Sequence, residues 1–215
     1  FASLLMKWFS ARKLTLFALG AFFVGAVASA VAPSFPVALA GRAVQGIGTG
    51  LVLPIMFAMV LEVIPPHKIG AAMGTNALVI MFAPAIGPTL AGALIGAGSW
   101  RLVFASFAVI ALVGVVFALK FEVNPYKLTR PSIDAPSVAL SVVGFGGIVL
   151  GAGMASSCGW ASPIVLGGLV AGLVCLALYV RRQLSMEVPV IDMRIFSHQG
   201  FRVGAACMMV NFGIP

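Results

Sequence analysis

The stretch MFAPAIGPTLAG, from Met81 to Gly92, places Pro84 and Pro88 one helical turn apart inside an apolar run. A proline in a helix interior removes a backbone donor and clashes with the carbonyl four residues earlier, which costs ~3 kcal/mol or more. The run extends from Gly70 to Gly96, and about 20 apolar residues are enough to cross a bilayer. We therefore predict a membrane-spanning helix that bends at the two prolines.

The composition extends this prediction to the whole chain. Its 215 residues are 61% hydrophobic and only 8% charged, and the mean hydropathy is +1.15. Soluble domains have about 25% charged residues, so this chain could not cover its own surface with polar groups. The predicted fold class is therefore an all-α polytopic membrane protein. The net charge of +8 does not indicate a nucleic-acid partner, because the basic residues are separated by apolar runs.

Six complete spans are predicted, with short links between them. Their approximate bounds are Leu14–Ala32, Val37–Ile64, Gly70–Gly96, Leu102–Leu119, Pro136–Met154 and Ile164–Val180. A seventh apolar run starts near Val203, and it reaches Pro215 before it is long enough to cross a bilayer. Because the first residue is also not methionine, we expect this chain to be a fragment of a longer protein.

The basic residues between the spans indicate the orientation. Only Arg101 lies on one side, and the other eleven lie on the opposite side: Lys7, Arg12, Lys13, Lys68, Lys120, Lys127, Arg130, Arg181, Arg182, Arg194 and Arg202. The positive-inside rule makes this second side cytoplasmic. Trp8, Trp100 and Trp160 all fall at span ends, where tryptophan is enriched. We predict a multi-pass membrane protein with the more basic side in the cytoplasm.

The second predicted span contains the most polar intramembrane segment, GRAVQGIGTG from Gly41 to Gly50. Arg42, Gln45 and Thr49 are spaced to share one helix face. An arginine within a span usually faces a bundle interior or a water-filled cavity. The alternative is snorkelling, since Arg42 lies ~9 Å from the outer end of the span and its long side chain could reach the headgroups.

No carboxylate of this chain is expected near Arg42. The five acidic residues all fall at cytoplasmic ends or links: Glu62, Glu122, Asp134, Glu187 and Asp192. A desolvated guanidinium needs an acceptor. Our hypothesis is that a carboxylate, a backbone carbonyl or a substrate reaches Arg42 from helices outside this chain.

Small residues mark two predicted packing seams. Gly46, Gly48 and Gly50 lie beside Arg42, and Ala83, Gly87 and Ala91 form a row of small residues at intervals of four. Small residues let membrane helices approach closely. Two other features have simpler interpretations: Asp134 resembles a helix N-cap, and the three cysteines lack the spacing of a metal or redox site.

Together these segments resemble the major facilitator superfamily, and more closely its 14-helix drug:proton antiporters of the EmrB/QacA type, nearest to the lincomycin-resistance subgroup. The fourth-helix signature of that family, R-x2-Q-G-x-G, matches Arg42, Gln45, Gly46 and Gly48. The fifth-helix antiporter signature, G-x8-G-x3-G-P-x2-G-G, falls on Gly74, Ala83, Gly87, Pro88, Ala91 and Gly92. Alanine replaces two of its glycines and keeps the small volume.

A third family signature, G-x3-D-R-x-G-R-[RK] in a cytoplasmic loop, is degraded in this chain. Ser3 stands at the position of its first Gly and Lys7 at that of its Asp. Ser10 replaces the second Gly, and Ala11 replaces the Arg that follows it. Only Arg12 and Lys13 keep the basic end of the signature. The resemblance implies a major facilitator fragment covering helices three to nine, in a multi-pass protein of the bacterial plasma (cytoplasmic) membrane. The implied domains are residues 1–121 in the N-terminal half (helices 3–6), a cytoplasmic linker 122–135, an extra central helix pair 136–182 (helices 7–8), and a cytoplasmic link with the start of the C-terminal half at 183–215 (helix 9).

The function implied by the resemblance is export of hydrophobic or amphipathic drugs in exchange for protons, with Arg42 and Gln45 as proton-coupling residues. The alternatives are a facilitator-fold uptake or ion porter and a degenerate fragment without transport activity. We expect no enzymatic activity, no metal and no cofactor, with a proton gradient as the energy source. The expected partners are small-molecule drugs, protons and the lipid bilayer, whereas a periplasmic adaptor stays an open question.

Overall fold

The computed structural model describes residues 2–122, 124, 134–186, 195 and 197–213. Every long secondary-structure element in these residues is a helix. The α-helices are α1 Ala2–Trp8, α2 Ala11–Ala30, α3 Phe35–Val63, α4 Ile69–Gly96, α5 Arg101–Phe121, α6 Ala135–Cys158, α7 Pro163–Ser185 and α8 Gln199–Gly213, and a 3-10 turn Pro66–Lys68 precedes α4. The chain divides into two compact units, residues 1–131 and 132–215.

The six predicted spans correspond to α2 to α7, which are all long and apolar enough to cross a membrane. Two further helices differ from the prediction. Residues 2–8, predicted as part of a cytoplasmic segment, form α1, and α8 begins at Gln199 rather than near Val203. Most of the predicted cytoplasmic linker 122–135, and the link between α7 and α8 with Arg194, lie outside the described residues.

Helices α2 and α3 approach each other through glycines of both helices. A Cβ atom on Gly25 would lie 2.5 Å from the Gly41 carbonyl oxygen, and a Cβ on Gly48 would lie 2.9 Å from the Phe22 nitrogen. Only glycine leaves room for such backbone contact. The sequence prediction did not include Gly25, which has no polar neighbour or signature to mark it.

The ends of α2 are joined to α5 at both sides of the bundle. At the predicted outer side, Arg101 Nη2 donates a hydrogen bond of 2.8 Å to the carbonyl of Ala32, just beyond α2. At the cytoplasmic side, Thr15 Oγ1 donates to Glu122 Oε1 over 2.6 Å, and the Ala11 backbone nitrogen donates to Asn124 Oδ1 over 2.9 Å. These bonds hold the antiparallel register of the two helices.

Helix α4 is continuous through Pro84 and Pro88, but it is the least packed of the long helices. None of its residues is buried. Its side chains contact few others in the described part of the first unit, although it is joined to α3 and α5 by short links. No neighbour in the described part of the first unit therefore covers its small-residue row.

In the second unit, α6 and α7 form a hairpin around a glycine seam. A Cβ atom on Gly147 would lie 2.9 Å from the Gly168 carbonyl oxygen, and one on Gly172 would lie 2.8 Å from the Gly144 carbonyl oxygen. The two backbones therefore touch near the middle of the hairpin.

A charged clamp closes the cytoplasmic end of this hairpin. Asp134 caps α6 as predicted, since its Oδ2 accepts a 3.3 Å hydrogen bond from the Ser137 nitrogen. The structure adds Arg182 of α7, whose Nε and Nη2 donate to the two carboxylate oxygens over 2.7 and 2.8 Å. The buried Gln183 donates to the Ser137 hydroxyl over 2.7 Å and completes the network. The bonds from Arg182, with those from Ser137, hold the pKa of the Asp134 carboxyl well below its usual range.

We predict opposite effects for two glycine substitutions on α3. Gly48→Ala would push a methyl group against the α2 backbone and should lower the free energy of unfolding by ~1–3 kcal/mol. Gly46→Ala is the matched control, because a Cβ there meets no atom within 4 Å, and alanine favours a helix by up to ~1 kcal/mol. Denaturant unfolding of the purified full-length protein measures both. Equal stabilities would contradict the close α2–α3 contact.

We predict that Asp134→Asn lowers the melting temperature at neutral pH, because the amide cannot replace the charge paired with Arg182. The pKa of Asp134 is lower in the folded protein than in the unfolded chain. The ionised carboxylate therefore contributes its full stabilisation above the unfolded-state pKa of about 3.9. This stabilisation is lost only as the pH falls through the pKa of the folded protein. The difference in melting temperature should therefore stay constant between about pH 8 and about pH 5 and shrink at lower pH. Arg181→Gln, one residue before the clamp, is the control and should match wild type. A difference that vanishes already at about pH 6 would be evidence against the clamp.

Candidate functional site

The guanidinium of Arg42 is held between α3 and α5. Its Nη1 donates a 2.9 Å hydrogen bond to Gln45 Oε1, and its Cζ lies 5.8 Å from the centroid of the Phe104 ring. The predicted shared face of Arg42 and Gln45 is therefore present. Gln45 lies one turn deeper into the membrane than Arg42 on the predicted orientation. Arg42 is exposed in the described part of the chain, and the choice between an inward-facing and a snorkelling arginine stays a prediction.

Gln45 is the buried member of this pair. Only 2% of its surface is exposed, because its backbone and side chain pack against Gly25 of α2. Its Nε2 has no hydrogen-bond partner among the described residues, which leaves a buried donor unsatisfied at a cost of ~1–3 kcal/mol. Thr49, predicted on the same face, donates instead to the Gln45 backbone carbonyl over 3.0 Å.

No carboxylate forms an ion pair with Arg42 in the part of the chain that the structure describes. Arg42 instead lines a cavity of 590 Å³ between the predicted outer ends of α3 and α5. The other lining residues are Pro33, Ser34, Phe35, Ala38, Leu39, Trp100, Arg101 and Phe104. The cavity thus combines two cations with aromatic and aliphatic side chains. The sequence pattern gave no sign of the contributions of Phe104 and Arg101, because neither belongs to a signature.

The six residues of the antiporter signature all lie on α4. Gly74, Ala83, Gly87, Pro88 and Gly92 are exposed and Ala91 is half-buried. A Cβ atom on Gly74, Gly87 or Gly92 would meet no other atom within 4 Å among the described residues. The structure therefore presents the signature as an open surface, and its close contact with another helix stays a prediction for the full-length protein.

Of the three glycines beside Arg42, only Gly48 packs against α2, whereas a Cβ atom on Gly46 or Gly50 would meet no other described atom within 4 Å. The two basic residues kept from the loop signature, Arg12 and Lys13, have different surroundings. Arg12 Nη2 donates to the carbonyl of Leu119 near the end of α5, where a cation offsets the negative end of the helix dipole. Lys13 lines an apolar cavity of 380 Å³ with Leu5, Phe9, Leu14 and Phe17.

The family model of the Major Facilitator Superfamily matches residues 1–146 of the chain. This match confirms the resemblance drawn from the helix signatures, and with the six membrane-length helices it confirms the predicted all-α multi-pass fold and membrane location. Because the family consists of transporters, it also confirms that the chain is not an enzyme.

The chain is similar to curated bacterial proteins. It is 45% identical over 193 residues to the lincomycin resistance protein LmrB of Bacillus subtilis. This aligned region covers 87% of this chain and 40% of the relative. It is 39% identical to the protein of the same name from Listeria monocytogenes, again over 87% of this chain and 40% of the relative. A multidrug resistance protein B homolog of Mycobacterium tuberculosis is 29% identical over 89% of this chain and 36% of its own length.

The chain therefore spans less than half the length of these curated relatives. The family model, in contrast, covers most of the chain and includes both the Arg42 site and the antiporter signature. On this evidence the chain belongs to the Major Facilitator Superfamily.

Proposed function

We propose that the full-length protein exports hydrophobic or amphipathic drugs and that proton entry drives the export. The observation that carries this proposal is the Arg42–Gln45 pair, which holds a cation inside a membrane helix beside a cavity. The names of the relatives, lincomycin resistance and multidrug resistance, support the drug as cargo.

The coupling we propose depends on a carboxylate supplied by a helix outside this chain. A cation within about 4–6 Å of a carboxylate favours its ionised form, so the approach of this group to Arg42 would release a proton. The orphan Nε2 of Gln45 provides a second donor at the same place. Separation of the two helices would let the carboxylate take up a proton again, and drug binding could alternate with this cycle.

Helix α4 would contribute the second requirement of an exporter, a seal against leakage. Its exposed small-residue row allows another helix to approach at backbone distance, which leaves no room for water between them. Transporters commonly place kinked or broken helices at such moving contacts near the midplane. The prolines at 84 and 88 fit this role, because the covering helix would shield the freed carbonyls from lipid.

We predict that Arg42→Ala in the full-length protein abolishes proton-driven drug accumulation in inverted membrane vesicles. The expected loss is at least tenfold, because the carboxylate would lose the cation that controls its protonation. Lincomycin is a suitable first drug, and a protonophore should collapse the accumulation seen with wild type. Drug movement in the reverse direction in wild type would favour an uptake porter instead.

Arg101→Ala is the matched control for this experiment. It removes the second cation of the same cavity, but Arg101 holds the Ala32 carbonyl rather than Gln45. We expect it to lower stability and to keep proton coupling. If Arg42→Ala kept wild-type accumulation, or if both substitutions abolished it equally, the assigned role of Arg42 would be wrong.

We predict that Gly87→Leu blocks transport, whereas Gly87→Ala keeps most of it. The leucine side chain would hold the covering helix away from α4, and the methyl group of alanine still allows close approach. Both variants should insert normally, since nothing lies within 4 Å of this position in the described residues. Transport activity and membrane abundance are measured together, and normal transport by Gly87→Leu would refute a tight contact at this row.

A further inference from the structure

The cytoplasmic end of α7 carries two adjacent arginines with different surroundings. Arg182 is neutralised by Asp134 through two hydrogen bonds of 2.7 and 2.8 Å. Arg181 is exposed, and it forms no ion pair with any carboxylate that the structure describes. Among the described residues, the charge of Arg182 is therefore neutralised and that of Arg181 is not.

Arg181 lies between two grooves on the surface of the hairpin. The larger groove has a volume of 620 Å³ and is lined, besides Arg181 and Ser185, by Leu173, Leu176, Ala177, Val180 and Leu184. These five apolar residues follow a helical spacing and form one face of α7. The smaller groove, of 420 Å³, continues on the other side of Arg181 past Leu140 and Leu178.

The larger groove has the length of one half of a bilayer. From Leu173 to Leu184 the helix rises ~16 Å, and one leaflet contributes about half of the ~30 Å hydrocarbon core. A groove of this length with a cation at its cytoplasmic end matches a molecule with an apolar chain and an anionic head.

We propose that this surface of α7 binds one anionic phospholipid of the cytoplasmic leaflet. The phosphate pairs with Arg181, and one acyl chain lies in the groove from Leu173 to Leu184. The charge complementarity supports this occupant, because the cytoplasmic leaflet is rich in anionic lipid and each nearby arginine or lysine contributes about 1 kcal/mol to its attraction. This groove is shallow and open and is lined by α7 alone, and Arg181 at its end would give the bound lipid one position.

Native mass spectrometry of the full-length protein tests this proposal. The purified, delipidated protein is titrated with phosphatidylglycerol and with phosphatidylcholine of the same acyl chains. We expect wild type to retain one phosphatidylglycerol in preference to phosphatidylcholine. Arg181→Gln should weaken the phosphatidylglycerol affinity about fivefold and leave phosphatidylcholine unchanged, since it removes one charge. Arg181→Lys should restore the preference.

Two further variants distinguish binding of the lipid at this one site from its attraction to the positive surface charge in general. Lys120→Gln removes one exposed cation from the cytoplasmic end of α5, and it should leave the phosphatidylglycerol affinity unchanged. Ala177→Trp fills the larger groove and should weaken both lipids while Arg181 remains. Circular dichroism confirms that each variant keeps its helical content. If Arg181→Gln has no effect, if Lys120→Gln has the same effect, or if Ala177→Trp binds as wild type does, the proposal is overturned.

Discussion

The structure depends on one constraint, the contact between helix backbones that only small residues permit. In a bilayer, lipid is as apolar as the side chains, so burial of leucine or valine gives helices little reason to associate. The close pairs of this chain, α2 with α3 and α6 with α7, meet where glycines face each other, at Gly25 and Gly41 and at Gly147 and Gly168. Polar links at the helix ends, such as Arg182 to Asp134, hold the α6–α7 pair in register, and Arg101 to Ala32 joins α5 to α2 in the same way.

Much of the fold was predictable from the sequence because membrane thickness and charge distribution act on whole segments. Six helices and the Asp134 cap follow from apolar length, proline position and N-cap chemistry. The helix at residues 2–8 was not predicted, because it is shorter than a span and coincides with the degraded signature of a cytoplasmic loop. The packing of Gly25 was missed for a related reason: glycine is frequent in membrane helices, and the sequence does not show which glycines face a neighbour.

The candidate site was predictable in part. The spacing of Arg42 and Gln45 indicated a shared face, and the structure shows the hydrogen bond between them. The spacing could not reveal Phe104 or Arg101, since they reach the same cavity from α5, and it could not show that Arg182 is paired while Arg181 is exposed. Contacts between distant segments depend on tertiary packing, which the local pattern does not contain. The roles of Arg42, Gln45 and the signature on α4 in transport stay predictions.

The open surface of α4 has a consequence for how the protein assembles during synthesis. A helix with no buried residue inserts into the bilayer on its hydropathy, and its few contacts with α3 and α5 hold its rotation and tilt only weakly. Its final position must then be set by segments that are translated later or lie elsewhere in the chain. The helix that carries the antiporter signature would then take its native position only once those segments are present.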